Sequence, residues 1–309
     1  MAFLRGFGSW VPDRVVTNAE LAARLGCDAA WITAGCGIEE RRYAGAGDSV
    51  ASMGARAAED CLARCSAEAS SIGLLIATGG TGERRFPGPA AEIAHRLGIA
   101  PAPAIDLPIA SAGAVFGLAL ASELAAAYGS VLVVAAEKMS AAVAAGTDRN
   151  TAILFGDGAG AALVDAHAGA AAVRASVLHS DGAFAGDLRL ELQGDVQMNG
   201  PAVILQSSRK IPGVIREALA KAGTTADEAG VFLMHQANRN LILRVAKALD
   251  VPAGKFFCNI ERYGNTSSAS VLIAAAEWER ARGFRPGEGV VFAGFGAGFH
   301  WGALVARGV

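Results

Sequence analysis

The chain contains two copies of a short sequence signature, and this repeat restricts its fold more than any other feature. The segments Phe155–Val164 and Phe295–Val305 each open with a Gly-rich turn and each end in Ala-Leu-Val. Helix beginnings correspond as well, with Ala110–Ala112 in one half and Ser267–Ser270 in the other. A signature that recurs in this way predicts an internal duplication.

The boundary of the duplication is expected near residue 165. A half of residues 1–165 then carries Ser111, and a half of residues 166–309 carries His235 and Asn265. No Pro- or Ser-rich linker marks this boundary, so we expect the halves to pack tightly against each other.

Apolar runs of strand length alternate with alanine-rich stretches of helical length. The predicted strands are 74–78, 104–107, 131–134, 161–164, 231–234, 290–293 and 303–305. The predicted helices are 49–65, 90–97, 112–128, 210–222, 239–249 and 268–282. Strands that are apolar throughout are buried on both faces, so the pattern predicts a layered α/β fold.

Composition and charge argue against several classes of protein. Hydrophobic residues make up 52% of the 309 residues and charged residues 18%, which disfavours disorder. The formal net charge of −2 gives no electrostatic reason to expect nucleic acid as a partner. The longest apolar stretch, 114–136, is interrupted by Glu123, Tyr128 and Gly129, which favours a buried helix and strand over a membrane span.

The N-terminal residues and the cysteines favour a cytoplasmic setting. Residues 1–8 show no basic region followed by an apolar core, so no signal peptide is expected. The five cysteines are odd in number and form no CxxC pair, which fits a reduced compartment. Cys61 and Cys65 lie one helical turn apart, but no further Cys or His close in sequence suggests zinc, so we expect no metal site.

Three polar residues at the ends of predicted elements are candidates for chemistry. Ser111 lies between a strand and a helix, where it is either a nucleophile near unpaired N–H groups or a helix-capping serine. His235 follows a strand and is either a base or hydrogen-bond donor to substrate, or a buried structural histidine. Asn265 lies in a Gly-Asn pair that also suits a turn. Together they favour acyl-group chemistry at one site.

Other segments have both functional and structural interpretations. The Gly-rich segments lack the Lys-Ser/Thr of a phosphate loop, so close backbone packing explains them better. Trp31 and Arg149 could clamp a planar group by stacking. Arg239, Arg244 and Lys247 form either a solvated surface or a docking patch for an acidic carrier.

The chain resembles the β-ketoacyl-acyl-carrier-protein synthase III family of the thiolase-like superfamily. The resemblance runs nearly from end to end. Its matching segments are Gly8–Pro12, Trp31–Thr33, Gly37–Arg41, Thr147–Arg149, Phe155–Ala161, His235–Asn238, Gly264–Ser270 and Phe295–Gly302. The resemblance implies a thiolase-like five-layered αβαβα sandwich of two duplicated halves, and a homodimer.

The resemblance also implies a reaction. An acyl group passes from a coenzyme A or phosphopantetheine thioester to the nucleophile, and malonyl-acyl carrier protein then loses carbon dioxide and attacks it. His235 and Asn265 match the residues that stabilise the thioester enolate. The backbone N–H groups of Ser111 and Ala297 would form the oxyanion hole. Coenzyme A is then a substrate, and no tightly bound cofactor is expected.

Further substrate contacts are implied at matching positions. Trp31 and Arg149 match residues that hold the coenzyme A adenine, and Phe86 matches one that closes the partner subunit's acyl pocket. Ile204 falls in the pantetheine tunnel and Asn238 at a substrate-binding position. The Arg239, Arg244 and Lys247 surface would dock the acyl carrier protein.

Several positions depart from the family pattern. Gly35 stands where the family often has an arginine for coenzyme A phosphates. Pro201 and Ile204 replace an Asn and a Phe of the pantetheine tunnel, and Asn240 replaces an arginine. These changes weaken the expectation of coenzyme A and leave a carrier-bound acyl donor open.

The main departure is the nucleophile, because the family uses cysteine where this chain has Ser111. A serine hydroxyl needs a base, and its oxygen ester is less reactive toward carbon nucleophiles. Three accounts compete: a natural serine variant, a Cys-to-Ser substitution made to trap a substrate, or a chain that only decarboxylates or serves as a partner subunit. Pro108 and Ile109 also differ from the small residues common there, which favours the natural variant. A non-enzymatic scaffold role is the second hypothesis beside the acyltransferase.

Overall fold

The structure is a computed structural model that describes residues 1–143 and 148–309. Its strands are β1 (Phe3–Trp10), β2 (Val15–Thr17), β3 (Glu40–Arg42), β4 (Ile72–Thr78), β5 (Ala104–Leu107), β6 (Ser130–Lys138), β7 (Asp157–Asp165), β8 (Ala171–Ser180), β9 (Leu188–Arg189), β10 (Gln197–Met198), β11 (Ala229–Met234), β12 (Gly289–Gly296) and β13 (His300–Gly308). Its helices are α1 (Asn18–Leu25), α2 (Ala29–Cys36), α3 (Val50–Arg64), α4 (Pro89–Leu97), α5 (Gly113–Tyr128), α6 (Arg149–Ala152), α7 (Gly200–Lys221), α8 (Arg239–Leu249), α9 (Ile260–Tyr263) and α10 (Ala269–Ala281).

Nine strands are linked in the order β11-β12-β13-β8-β1-β7-β6-β4-β5. The two sides of this order repeat one pattern. In each, a parallel pair (β4 with β6, β11 with β12) is followed by two antiparallel pairings that end at β1 or β8. Only the pairs Phe3–Ala172 and Leu4–Ala171 join β1 to β8. The domain limits 1–165 and 166–309 stay a prediction, and they fall in the connection between β7 and β8.

Helices cover both outer faces and fill the space between the two groups of strands. Helices α3 and α4 pack on β1, β4, β6 and β7, and α7 packs on β8 and β13 with α8 beside it. Helices α5 and α10 lie in the middle, where Leu118 and Leu272 are part of the largest buried apolar cluster. This arrangement confirms the five-layered αβαβα fold.

Most predicted elements are confirmed, and the differences have physical reasons. Helix α7 begins at Gly200, ten residues before the predicted start at 210, because Pro201 in a first helical turn has no N–H that needs a partner and Asn199 caps the helix. Strands β1 and β8 were not predicted, because Arg5 and Arg174 interrupt their apolar character.

The first Gly-rich segment is not a turn, so that prediction is wrong. Strand β7 begins at Asp157 and contains Gly158 and Gly160. A Cβ atom at Gly160 would lie 2.5 Å from the Cβ of Leu272 in α10. The expected role of these glycines in close packing between the halves is therefore confirmed.

Within the described residues, no helix combines the length and the apolar character that a membrane crossing needs.

Candidate active site

Ser111, His235 and Asn265 line one cavity. Ser111 lies between β5 and α5, His235 directly follows β11, and Asn265 lies between α9 and α10. All three are at least nine-tenths buried, although they come from distant parts of the chain. The structure therefore brings together the three side chains that the sequence predicts for chemistry.

Ser111 is held in an unusual backbone conformation beside a second serine. Its φ of 62° is left-handed, which is uncommon for a residue other than glycine. The Ser111 N–H donates to Ser267 Oγ at 3.0 Å, and the two Oγ atoms are 3.3 Å apart. The N-cap of α5 is Ala112, and no side chain caps this helix, so the capping interpretation of Ser111 is wrong.

Gly296 allows the Ser111 loop to sit against the end of β12. A Cβ atom at Gly296 would lie 2.7 Å from the Ser111 Cβ and would also collide with the carbonyl oxygen of Ala110. Only glycine fits this contact, which explains the glycine in the second Gly-rich segment.

His235 is buried and neutral. Burial lowers the pKa of its imidazole from 6.5 to about 4. Its Nδ1 lies 2.6 Å from Ser270 Oγ, and that oxygen also accepts the N–H of Gln236 at 3.2 Å. If the Ser270 hydroxyl donates to Nδ1, the proton of the neutral ring is on Nε2, and His235 is a hydrogen-bond donor to a ligand in the cavity.

Hydrogen bonds to the residues just before β7 and α10 fix the position of Asn265. Its N–H donates to Leu154 O at 2.8 Å, and its carbonyl accepts the N–H of Gly156 at 3.1 Å. Its Oδ1 accepts the N–H of Ser267 at 2.9 Å. Because Oδ1 is used in this way, the Nδ2 group is the part of the carboxamide left to bind a substrate.

Glu137 is a site residue that the sequence did not single out. It lines the cavity and is completely buried at the end of β6. Its Oε2 accepts the N–H groups of Gly80 and Thr81 and the Thr81 hydroxyl, at 2.6–3.1 Å, and its Oε1 accepts the Ser268 hydroxyl at 3.1 Å. It forms no ion pair with any described residue. A lone carboxylate at the end of the apolar run 131–136 was the available signal.

The other predicted substrate-binding residues divide into two groups. Ala297, Ile204 and Asn238 line the cavity, and Asn238 also caps α8 through its bond to Asn240 N. Phe86 lies outside the cavity with 85% of its surface exposed.

Trp31 and Arg149 contact each other at the surface instead of lining the cavity. The Arg149 Cζ lies 5.6 Å from the centroid of the Trp31 ring. A planar group between them needs two contacts of about 3.5 Å, or roughly 7 Å in all, so the pair would have to open. Thr147, next to this pair in the predicted segment, lies outside the described residues.

Arg239, Arg244 and Lys247 are all exposed on α8. Arg239 packs on Gly37, where a Cβ atom would lie 2.5 Å from the Arg239 Cβ. Across residues 1–143 and 148–309, no three His, Cys, Asp or Glu side chains cluster closely enough to hold a metal ion.

Comparison with known proteins gives a consistent result. A family model for the C-terminal part of 3-oxoacyl-[acyl-carrier-protein] synthase III matches residues 219–307, and a second model for 3-oxoacyl-[acyl-carrier-protein] synthase III matches residues 105–182. The β-ketoacyl-[acyl-carrier-protein] synthase III of Oleidesulfovibrio alaskensis is 36% identical over 327 residues, covering 99% of this chain and 98% of the relative. That of Gloeobacter violaceus is 36% identical, with 98% and 97% covered.

Solved structures agree with this result. The 3-oxoacyl-[acyl-carrier-protein] synthase III of Aquifex aeolicus superimposes with a TM-score of 0.95 at 32% identity, covering 99% of this chain and 100% of that one. The priming β-ketosynthase of the R1128 polyketide pathway gives 0.93 at 30% identity, with 100% and 96% covered. Since the relatives match over almost their whole length, the chain belongs to the 3-oxoacyl-[acyl-carrier-protein] synthase III family of condensing enzymes.

Proposed function

We propose that this chain is a natural serine variant of its family that moves an acyl group through an ester on Ser111. The observation that carries the proposal is the convergence of Ser111, His235 and Asn265 on one cavity. The acyl donor is a coenzyme A or acyl-carrier thioester, whose carbonyl carbon Ser111 Oγ attacks. The C–S bond breaks, and the leaving sulfur takes up the proton that Ser111 loses.

In the second half of the reaction, malonyl-acyl carrier protein loses carbon dioxide and the resulting carbanion attacks the ester carbonyl carbon. A C–C bond forms, the bond between that carbon and Ser111 Oγ breaks, and Oγ takes a proton from water. The negative charge that develops on the thioester oxygen needs hydrogen-bond donors. His235 Nε2–H and Asn265 Nδ2–H are suitable, because Ser270 and the Ser267 N–H occupy the other polar atoms of these two side chains. The N–H of Ala297, on the cavity wall, is a further donor for the oxyanion.

The role of His235 as a base for Ser111 is less favoured than its role as a donor. The one recorded hydrogen-bond partner of the Ser111 hydroxyl in the described residues is Ser267. A pKa of about 4 also makes His235 a weak proton acceptor at neutral pH. His235→Ala should therefore reduce decarboxylation more than acylation.

Intact-protein mass spectrometry with a panel of acyl-CoA and acyl-carrier thioesters tests the proposal. The expected result is a mass increase of one acyl group, located on the peptide that contains Ser111 and absent in Ser111→Ala. No adduct with any donor, or one that persists in Ser111→Ala, contradicts the proposal.

The departure at Ser111 supports a second candidate function. An oxygen ester is less reactive than a thioester toward carbon nucleophiles, and many serine acyl-enzymes pass their acyl group to an oxygen nucleophile, so the second candidate acceptor is an alcohol or amine without C–C bond formation. Release of the acyl group to such an acceptor, with no carbon dioxide from malonyl-acyl carrier protein, would favour this function. Activity that needs a cysteine-bearing paralogue and survives Ser111→Ala would instead favour a non-catalytic partner subunit.

A homodimer is proposed as the working form. Strand β5 is an edge strand in which Ile105 is exposed, and Phe86 projects nearby from the 79–88 loop. Exposed apolar residues beside an open strand edge favour a partner chain. Sedimentation equilibrium tests the dimer, and a monomer at micromolar concentration would contradict it.

A further inference from the structure

We propose that Ser267 is a catalytic residue whose hydroxyl donates a hydrogen bond to Ser111 Oγ whenever that oxygen carries negative charge. This inference rests on the proposed function, because it concerns the formation and breakdown of the Ser111 ester. Ser267 would contact the reacting oxygen of Ser111, a role that the proposal gives to neither His235 nor Asn265.

The contacts of Ser267 leave its hydroxyl proton available for this bond. Its N–H donates to Asn265 Oδ1, and its Oγ accepts the N–H of Ser111. The Ser111 Oγ at 3.3 Å is the only other recorded partner of the Ser267 Oγ within the described chain. Ser267 is 1% exposed and lines the same cavity as Ser111.

The distance between the two hydroxyl oxygens indicates a hydrogen bond that is weak when Ser111 is neutral and stronger when Ser111 Oγ carries negative charge. Neutral O–H···O bonds usually measure about 2.7–2.8 Å, so a contact of 3.3 Å is weak at rest. A bond to an ionised oxygen is shorter and roughly twice as strong. An interaction that strengthens as charge develops lowers the barrier, because it stabilises the transition state more than the ground state.

A serine nucleophile needs this hydrogen bond and a cysteine nucleophile does not. During acylation the Ser111 O–H bond breaks as the Oγ–carbon bond forms, and the proton ends on the leaving sulfur. During ester breakdown the Oγ–carbon bond breaks, and Ser111 Oγ leaves as an alkoxide that takes one proton from water. A thiolate leaves without such assistance, because its conjugate acid is far stronger.

Backbone geometry makes Ser267→Ala a suitable test. Ser267 has a left-handed φ of 49°, and alanine keeps the Cβ while it removes the hydroxyl. Ser267→Ala should slow acylation of Ser111 by about 10- to 100-fold, the range for one hydrogen bond to a charged group. Ser267→Gly should show the same loss and guards against misfolding of the alanine variant, since glycine tolerates this φ.

The decisive comparison places Ser267→Ala in a Ser111→Cys background. In that background Ser267→Ala still removes the oxygen that accepts the backbone N–H of residue 111. The acylation rate should nevertheless change by less than about threefold. Ser122→Ala, whose hydroxyl bonds to Leu118 O within α5, is the matched control and should leave both rates unchanged.

Equal slowing in the serine and cysteine enzymes would overturn the inference, since it would indicate that Ser267 only shapes the loop. Unchanged acylation of Ser111 in both Ser267 variants would overturn it as well. These outcomes differ from failure of the proposed function, in which the unmodified chain forms no adduct on Ser111.

Discussion

Ser111 and Ser267 lie two residues before the first residues of α5 and α10, and their hydroxyl oxygens are 3.3 Å apart. Both have a left-handed φ, of 62° and 49°. The two halves thus meet at equivalent turns, one of which carries the proposed nucleophile Ser111 and the other its hydrogen-bond partner Ser267. Strained backbone of this kind is typical of active sites, where the surrounding structure holds it in place.

Replacing the nucleophile by Ser111→Cys should accelerate acylation by at least about tenfold, because a thiol is partly ionised near neutral pH and a serine hydroxyl is not. Single-turnover mass spectrometry with one acyl donor measures the rate, with Ser111→Ala as the blank. Slower acylation of the cysteine variant would mean that the site is built to deprotonate a hydroxyl.

The buried carboxylate of Glu137 should matter for both stability and activity. Glu137→Gln places an NH2 group against donors from Thr81 or Ser268, and each unsatisfied buried group costs about 1–3 kcal/mol. We expect a lower free energy of unfolding in urea and a lower kcat with little change in KM. Glu191→Gln, at an exposed residue, is the control. An unfolding free energy within error of the unmodified protein would show that the hydrogen bonds of Glu137 do not stabilise the fold.

Gly296→Ala should destabilise the fold and displace Ser111, because its Cβ would lie 2.7 Å from that of Ser111. Overpacking of this kind typically costs about 1–3 kcal/mol. Gly213→Ala in α7 is the matched control: nothing lies within 4 Å of its Cβ, and alanine should stabilise the helix by roughly 0.5–1 kcal/mol. Urea denaturation and the acylation rate provide the two measurements, and an active, stable Gly296→Ala enzyme would show that the loop has room to move.

His235 should make the folded state less stable as pH falls from 6.5 to 4. Burial lowers its pKa in the folded state to about 4, from 6.5. The folded state then binds fewer protons than the unfolded state, so this contribution is fully present above pH 6.5 and is lost as pH falls from 6.5 to 4. Its size is at most about 3 kcal/mol.

Urea denaturation from pH 4 to 8 measures this effect. His235→Gln should make the free energy of unfolding depend less on pH between pH 6.5 and 4. His95→Gln, at an exposed imidazole of α4, should leave it unchanged. An identical pH dependence in all three proteins would show that His235 titrates normally.

The exposed basic residues of α8 should affect carrier substrates alone. Arg244→Glu combined with Lys247→Glu should raise KM for acyl-carrier thioesters about tenfold at low salt, and the effect should shrink as salt screens the charges. KM for acyl-CoA should change little. Arg285→Glu is the control, because Arg285 precedes the start of β12 and the candidate site lies at the other end of this strand. Equal effects of the α8 substitutions on both donors would argue against a carrier-docking role.

The layered α/β fold, the duplication and the three candidate catalytic residues could be predicted from the amino-acid sequence. This was possible because buried strands are apolar throughout, and because Ser111, His235 and Asn265 are polar residues at the ends of predicted elements. Helix α8 was predicted at its observed limits, since apolar residues recur at a helical period between a capping Asn238 and the left-handed Asp250.

The contacts within the candidate site depend on tertiary packing. The Ser111–Ser267 contact joins residues 156 positions apart, and the five hydrogen bonds of Glu137 come from two separate segments, at residues 80–81 and at Ser268. No local pattern encodes such contacts, because the packing of α5 and α10 between the two groups of strands creates them. The same packing removes water from His235 and lowers its pKa, so whether this residue acts as a base or as a donor depends on burial that the sequence does not reveal.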